Sequence, residues 1–351
     1  MRLPRSTGSS SSRAGASDLS GSGAPAAPQG GTAISEQLAV VPSAPVLRRQ
    51  HRRRLSGETL TGLAFVLPAL VLVCVVVLYP ILEIALMSVS SVNSIAQRGE
   101  FVGLANYLQF WNDPVFGNVV LQTLLWTSVI VVVTTLIAIP VALALNLEFP
   151  GRRIARALLI IPWAASLMIN AIIWRWILDG QYSIINGTLM SLGILKEPII
   201  WLGTDVVNWI CLLTVGILVS IPFTSFSVLA GLQSIPSELY EAARVEGAGF
   251  VYTLRHVTLP LLRPTLVVTT VLNVIYVFNS FPITWVMTEG GPAYRTDILI
   301  TFLYKKAFRE GQFGMASAIA IIVFVGLFLF TLAFTWITRE RRTRTLAGAE
   351  A

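Results

Sequence analysis

Side chains able to do covalent or metal chemistry are few in this 351-residue chain. The histidines His51 and His256 are far apart in the sequence, and neither belongs to a cluster of histidine, cysteine and carboxylate residues. The cysteines Cys74 and Cys211 lie in apolar segments, which argues against a disulfide framework or a zinc site. No G-x-x-x-x-G-K-S/T loop for nucleotide phosphates is present. The sequence therefore predicts no catalytic residue, no metal ligand and no enzyme activity.

One polar segment, between the fourth and fifth apolar stretches, combines charged residues with helix start and stop signals. Ser237 is predicted to be the N-cap of a short helix whose first turns carry acidic residues. Gly247 and Gly249 are predicted to stop that helix, because glycine adopts positive φ at little cost. A second short amphipathic helix is predicted from about residue 250 to 257, with Pro260 ending it. The prediction is two short helices lying across one face of a membrane.

The first of these short helices carries side chains that suit a protein partner. Ala242 and Ala243 leave a flat surface for close approach, while Glu241, Arg244 and Glu246 can fix the register of a docked protein. We interpret the loop as a docking element. The residues alone leave an alternative open, in which an amphipathic helix only covers the end of a helix bundle.

The composition predicts a lipid environment. Hydrophobic residues make up 54% of the chain and charged residues 12%, which is too little polar surface for a water-soluble exterior. The net charge of +7 comes from arginines beside apolar segments and not from a separate basic domain, so no nucleic-acid partner is predicted. A membrane span needs about 20 apolar residues. Six stretches qualify, at about Leu60 to Val89, Val119 to Leu145, Ile154 to Leu178, Val206 to Leu232, Thr265 to Met287, and Met315 to Ile337. The predicted fold is an all-α, polytopic membrane protein with six transmembrane helices.

The arginines predict the orientation of these helices. With six spans, both chain ends and the connections after the second and fourth spans fall on one side, and these segments are arginine-rich. The positive-inside rule makes that side cytoplasmic, so both termini are predicted to be cytoplasmic. Lys305, Lys306 and Arg309 conflict with this rule because they fall on the outer side. Apolar and polar residues alternate from Ile298 to Phe313, which is typical of an interfacial helix.

The chain divides into three predicted regions. Residues 1–55 are rich in serine, glycine, alanine and proline and are predicted to be a disordered cytoplasmic tail. Residues 56–340 are predicted to form the transmembrane domain, with the polar loop at about 234–262. Residues 341–351 are predicted to be a cytoplasmic C-terminal tail.

The polar loop resembles the EAA motif of ABC importer permeases. That motif has a Glu-Ala-Ala triplet, a glycine and an Ile-x-Leu-Pro ending at fixed spacing, and only Val257 departs from it here. The matching residues are Glu241-Ala242-Ala243, Gly247 and Val257-x-Leu259-Pro260. Three further segments are similar to the maltose-transporter (MalF-like) branch of carbohydrate permeases: Gly103-Leu104-x-Asn106-Tyr107, Gly290-Gly291-Pro292 and Phe313-Gly314-x-Ala316-Ser317-Ala318. Together the resemblance covers about residues 60–340.

The resemblance implies a type I importer permease bundle with cytoplasmic coupling helices, located in the plasma membrane. In this family the loop, here with Glu241, Ala242, Ala243, Arg244 and Gly247, sits in a groove on an ATP-binding subunit. Closure of the ATPase dimer moves the permease pair from inward-open to outward-open. ATP and magnesium would be bound by that partner, and no cofactor by this chain. The other implied partners are a second homologous permease subunit and an extracellular solute-binding protein.

Polar side chains of the fifth stretch are candidates for contact with a solute. Asn273, Tyr276 and Ser280 recur at i, i+3 and i+7, which places them on one helical face. Asparagine in a membrane helix also serves as an interhelical hydrogen-bonding group, and the residues alone leave both roles open. The stripe matches positions that form the sugar site in the maltose permease, which favours a substrate pathway. Three residues beside prolines of the third and fourth stretches match that pocket too: Trp163, Ser220 and Phe223. Because the residue types differ from those of the maltose permease, the resemblance does not identify the solute.

Functions other than import of a sugar fit part of the sequence. A secondary transporter would suit six broken helices, but ion coupling usually needs ionisable groups at mid-membrane. Glu83 and Asp179 lie toward the outer ends of their spans. An ABC permease for a glycerophosphodiester, a polyol or an amino acid would keep the loop. The uncharged stripe favours a sugar or similar neutral polar solute, carried into the cytoplasm by alternating access.

Overall fold

The computed structural model describes residues 57–203 and 205–347, and nearly all of its regular elements are helices. The prediction of an all-α membrane protein is confirmed. The helices are α1 (Gly57–Val73), α2 (Tyr79–Ser88), α3 (Ala105–Trp111), α4 (Phe116–Asn146), α5 (Arg152–Ala164), α6 (Leu167–Ile177), α7 (Ile184–Ser191), α8 (Asp205–Gln233), α9 (Ser237–Val245), α10 (Phe250–Thr253), α11 (Leu259–Phe278), α12 (Phe281–Thr288), α13 (Leu299–Tyr304) and α14 (Phe313–Ala347). Single π-helical turns join α1 to α2, join α10 to α11 and extend α13. The predicted N-terminal tail lies outside the described residues.

Five helical segments of the described chain are long and apolar enough to cross a membrane. They are Ala64–Ser88, Phe116–Asn146, Val206–Gln233, Phe250–Thr288 and Phe313–Thr338. The third predicted span is instead two helices, α5 and α6, bent by 94° at their junction. Pro162 lies near the end of α5, and the Ser166 hydroxyl caps α6 by accepting a hydrogen bond from the Ile169 N–H at 3.2 Å. Counting the bent pair as one span gives the predicted six.

A small hairpin follows the first span. Strands β1 (Ser90–Val92) and β2 (Arg98–Phe101) pair antiparallel. Asn106 fastens α3 to this region by donating to the carbonyl oxygens of Ser88 and Ser90, each at 2.9 Å. Gly314 of α14 packs directly on that amide, since a Cβ at Gly314 would lie 2.8 Å from Asn106 Oδ1. Two of the segments that resemble carbohydrate permeases therefore meet in a structural contact.

The main core is formed where α4, α8, α11 and α12 pack together. Trp126 is fully buried there, and its indole N–H donates to the Val277 carbonyl and to Ser280 Oγ, each at 3.0 Å. Such interhelical hydrogen bonds stabilise helix packing in lipid, where apolar burial alone gives little preference for protein over lipid contacts. This contact fixes the point at which the fifth span breaks.

One predicted boundary and one predicted segment differ from the structure. Helix α14 continues to Ala347, so the predicted tail boundary at residue 340 falls inside a helix. The segment from Ile298 to Phe313 is not an open interfacial helix, because Ile298, Thr301 and Phe302 are fully buried. Thr301, Lys305 and Lys306 are buried in this segment, whereas Arg309 and Glu310 at its end are exposed.

Candidate functional site

The polar loop begins with helix α9 at the end of α8. Pro236, with φ −57° and ψ 135°, is the N-cap, and Ser237 is the first helical residue without a capping hydrogen bond. The prediction of Ser237 as N-cap was therefore wrong by one residue, because proline at 236 already fixes the extended entry into the helix. Glu238 in the first turn and Arg244 in the last turn both complement the helix dipole.

The second half of the loop is not a separate helix. Gly247 ends α9 with φ +78°, as predicted, whereas Gly249 has φ −73° and is the extended N-cap of α10. Helix α10 then runs through the π-helical turn Leu254–Thr258 directly into α11. Pro260 does not end this helix, because the chain continues as a helix on both sides of it, with the π-helical turn directly before. The loop thus consists of one short helix followed by a helix continuous with the fifth span.

The loop presents exposed apolar and charged side chains together. Ala243 is half-buried, while the residues around it are open. The exposed residues include Glu241, Ala242, Arg244, Val245, Gly247, Phe250, Val251 and Tyr252. Val245 is 89% and Phe250 72% exposed. A cluster of large exposed apolar residues rimmed by charges is typical of a protein interaction surface.

Two of the predicted pathway residues come together in a cleft between α5 and α8. The Trp163 and Phe223 rings stack with centroids 6.4 Å apart and an interplanar angle of 21°. The cleft has a volume of about 380 Å³ and is lined by Ile160, Trp163, Pro222, Phe223, Phe226, Ser227 and Ala230. Its lining is uncharged, and Trp163 is half exposed.

The other four predicted pathway residues lie in the packed interior. Ser220 is buried and donates to the Gly216 carbonyl at 2.8 Å. Tyr276 is half-buried against the main core. Ser280 is buried at the interruption between α11 and α12, where it bonds to Trp126, so the helical stripe does not continue through it.

Asn273 is 1% exposed. Its amide nitrogen donates to Thr224 Oγ1 at 3.3 Å, whereas its Oδ1 has no hydrogen-bond partner. The contact with Thr224 suits an interhelical role, and the unpaired oxygen suits a group that gains a partner when the helices move. A role of Asn273 in the substrate pathway stays a prediction.

The sequence did not predict a buried ion pair at the opposite end of the bundle. Lys305 Nζ lies 2.6 Å from Asp297 Oδ2, and Thr301 Oγ1 donates to Asp297 Oδ1 at 2.8 Å. Burial raises the pKa of the Asp297 carboxyl, while the hydrogen bonds from Lys305 and Thr301 oppose that shift. The sequence does contain a signal for this pair, because Asp297, Thr301 and Lys305 recur at i, i+4 and i+8, the spacing of one helical face.

The other two basic residues of this segment are also paired with acids. Lys306 Nζ contacts Glu310 Oε2 at 2.9 Å and Asp113 Oδ2 at 3.1 Å, and Arg309 contacts Glu289 Oε2 at 2.7 Å. Lys305 and Lys306 are therefore folded into the protein instead of lying free at a membrane surface. This pairing accounts for their conflict with the positive-inside rule.

Comparisons with known proteins match both the sequence and the fold. A family described as the binding-protein-dependent transport system inner membrane component matches residues 134–343, which include the polar loop. A protein of Brucella suis biovar 1 (strain 1330), named as a probable ABC transporter permease protein, is 44% identical over 269 residues, covering 77% of this chain and 93% of that protein. The trehalose/maltose transport system permease protein MalF of Thermococcus litoralis is 33% identical over 285 residues, covering 81% of this chain and 96% of that protein.

Among solved structures, one chain of a bacterial ABC transporter involved in the import of the acidic polysaccharide alginate superposes with a TM-score of 0.71. Its sequence identity is 20%, and the match covers 81% of this chain and 96% of that chain.

Proposed function

Because the chain belongs to the family of binding-protein-dependent transport system inner membrane components, and is thus a permease subunit of an ABC importer, we propose that it carries a sugar or similar neutral polar solute into the cytoplasm. Import requires coupling to an ATP-binding partner, and the observation that supports this coupling is the largely exposed loop at residues 234–262, continuous with the fifth span.

Docking at this loop provides a route for coupling to ATP hydrolysis. An ATP-binding subunit that holds Glu241, Arg244 and the exposed side chains of α10 would move α10 when the two ATPases close. Since α10 and α11 form one helix through a π-helical turn, that motion would reach Asn273 without crossing a flexible joint. The first break comes at Asn279 and Ser280, at the far end of α11. ATP and magnesium belong to the partner in this scheme, and this chain binds neither.

The aromatic cleft supports a neutral solute. Sugars present apolar faces that stack on aromatic rings such as those of Trp163 and Phe223. The cleft offers no charged side chain to pair with a phosphodiester or with an amino acid's ammonium and carboxylate groups. The relative from Thermococcus litoralis is named for trehalose and maltose transport, which fits the same solute class.

The proposed assembly has three kinds of partner. They are an ATP-binding subunit dimer, a second homologous permease subunit, and an extracellular solute-binding protein that delivers the solute. The chain is proposed to be a multi-pass protein of the plasma membrane with both termini in the cytoplasm.

The proposal is tested by purifying the tagged chain from native membranes in mild detergent and identifying its companions by mass spectrometry. We expect an ATP-binding subunit and a second permease to accompany the wild-type chain. Glu241→Lys should lose the ATP-binding subunit, while Glu148→Lys, an exposed glutamate on the preceding loop of the same side, should retain it. A wild-type chain that purifies alone, or equal retention by both variants, would overturn the coupling role.

A further inference from the structure

A second, larger cavity lies at the end of the bundle away from the Glu241 loop. Its volume is about 740 Å³, within the range of roughly 300 to 1,000 Å³ typical of small-molecule sites. The cavity is bounded by the ends of α6 and α12, by the segment after α12 and by the connection that precedes α8. The aromatic cleft shares no residue with this outer cavity.

The charges around the outer cavity are balanced. Arg309 faces Glu289 at 2.7 Å, with both side chains about half exposed, at 53% and 52%. Lys305 is neutralised from behind by the buried Asp297 carboxylate. Arg175 donates to the Val286 carbonyl at 2.9 Å and lies close enough to Asp179 for their charges to interact. The wall therefore presents donors and acceptors side by side without a surplus cation for an anion.

The backbone of the cavity wall is strained. Four residues other than glycine in the described chain have positive φ, and three of them line this cavity: Glu289 at 51°, Ala293 at 49° and Tyr294 at 62°. Side chains with a Cβ rarely adopt this conformation, and such strain persists where the surrounding structure enforces it, often at binding sites. All three residues belong to the segment after α12, which forms one wall of the cavity.

We propose that this outer cavity is a binding subsite for a neutral saccharide, occupied before the solute enters the membrane-spanning part. This inference rests on the proposed function, because that function places the cavity on the side from which the solute arrives. Paired carboxylate and guanidinium groups, as in Glu289 and Arg309, accept from and donate to neighbouring hydroxyls of one sugar ring. The side chains of Ile200 and Leu202 provide apolar surface for the ring's C–H groups.

The test uses the purified importer complex in lipid nanodiscs, without solute-binding protein, and photoreactive diazirine derivatives of maltose and trehalose. Crosslinked peptides are mapped by mass spectrometry. The variant Ile200→Trp fills the outer cavity at a side chain that is 66% exposed, so the core is undisturbed. The matched control Ile194→Trp lies on the same connection, is 64% exposed and is not part of the cavity.

We expect adducts within residues 175–180 and 287–294 in the wild type and in Ile194→Trp, and at least about tenfold fewer in Ile200→Trp. If Ile200→Trp does not assemble, the variant Glu289→Gln, which keeps the side-chain shape, tests the same cavity. Labelling of residues 175–180 and 287–294 should fall several-fold in Glu289→Gln. Free maltose should compete with the probe and reduce labelling of the wild-type chain, whereas a mannuronate trisaccharide should not. Adducts that persist in both cavity variants, or protection by the acidic trisaccharide alone, would overturn the subsite.

The outcomes separate the subsite from the importer itself. Adducts confined to residues 160–163 and 223–230 would leave the proposed sugar importer intact and remove the outer subsite. Absence of labelling anywhere in the chain, with the ATP-binding subunit present, would remove both the subsite and the sugar assignment. Loss of the ATP-binding subunit from the wild-type preparation would instead count against the importer proposal.

Discussion

Lys305 Nζ lies 2.6 Å from Asp297 Oδ2, and the two side chains are 11% and 0% exposed. The pair joins α13 and its π-helical turn to the segment that follows α12. A buried ion pair contributes little net stability, but removing one member leaves the other charge buried without compensation. The fold of the segment after α12 is therefore destabilised when one member is removed and the other stays buried.

Replacing Asp297 by asparagine should lower the free energy of unfolding by about 3 kcal/mol, because the Lys305 ammonium stays buried without its carboxylate. The double variant Asp297→Asn/Lys305→Met should recover most of this loss. Thermal unfolding in detergent, followed by intrinsic fluorescence, measures both. The control is Arg98→Gln, which breaks the half-exposed pair with Glu83 at 3.5 Å and should cost under about 1 kcal/mol. Equal losses for Asp297→Asn and Arg98→Gln would contradict the role of burial.

Two glycines with the same backbone conformation should differ in their tolerance of alanine. Gly290 has φ +73° and Gly247 φ +78°, but a Cβ at Gly290 would overlap the Asp297 carboxylate, whereas nothing lies within 4 Å at Gly247. Gly247→Ala should cost about 1 kcal/mol from backbone strain alone. Gly290→Ala should cost clearly more in the same unfolding measurement. Similar costs at the two sites would mean that the carboxylate moves freely.

The spans could be predicted from the sequence because apolar length is a direct requirement of the bilayer. The sequence also contains signals for the two interruptions, between α5 and α6 and between α11 and α12. Pro162 and Ser166 are stop and start signals within the third stretch, and Pro282, two residues after Ser280, is a start signal within the fifth. Hydrophobicity alone predicts one helix for each stretch, so the predicted stripe from Asn273 to Ser280 crosses the interruption between α11 and α12.

The candidate site was only partly predictable, for a physical reason. The positions of the polar loop follow from local signals, and its exposure agrees with a docking surface. The stacking of Trp163 on Phe223 depends on how α5 packs against α8. The ion pair of Asp297 with Lys305 depends on how the segment after α12 folds. Neither the packing of distant helices nor the burial of a charge is fixed by local periodicity.

Asn273→Leu distinguishes the two roles open to this residue. If Asn273 acts in the pathway, uptake should fall at least about tenfold, while the free energy of unfolding changes by less than about 1 kcal/mol, since its contact with Thr224 is long at 3.3 Å. Thr224→Val, which removes the same hydrogen bond, should leave uptake near the wild-type rate. Parallel losses of stability in both variants, with matching losses of uptake, would assign Asn273 to interhelical packing alone.

Trp163→Ala should weaken saccharide transport by about tenfold, because it removes one of the stacked rings of the aromatic cleft. Trp163→Phe should retain most of the activity. Trp176→Ala is the matched control, since Trp176 is 67% exposed on the neighbouring helix and is not part of the cleft. Initial rates of labelled-sugar uptake by cells provide the measurement. If Trp163→Ala and Trp176→Ala transport equally well, the cleft is not on the solute's route.

ATP-driven import is tested most directly by uptake of a radiolabelled neutral saccharide into proteoliposomes that contain the purified complex and its solute-binding protein. Accumulation is expected only when ATP and magnesium are present on the side of the Glu241 loop. Glu241→Lys should abolish accumulation, while Glu148→Lys should preserve it. Accumulation driven by an ion gradient in the absence of ATP, by this chain alone, would rule out ATP-driven import and identify a secondary transporter.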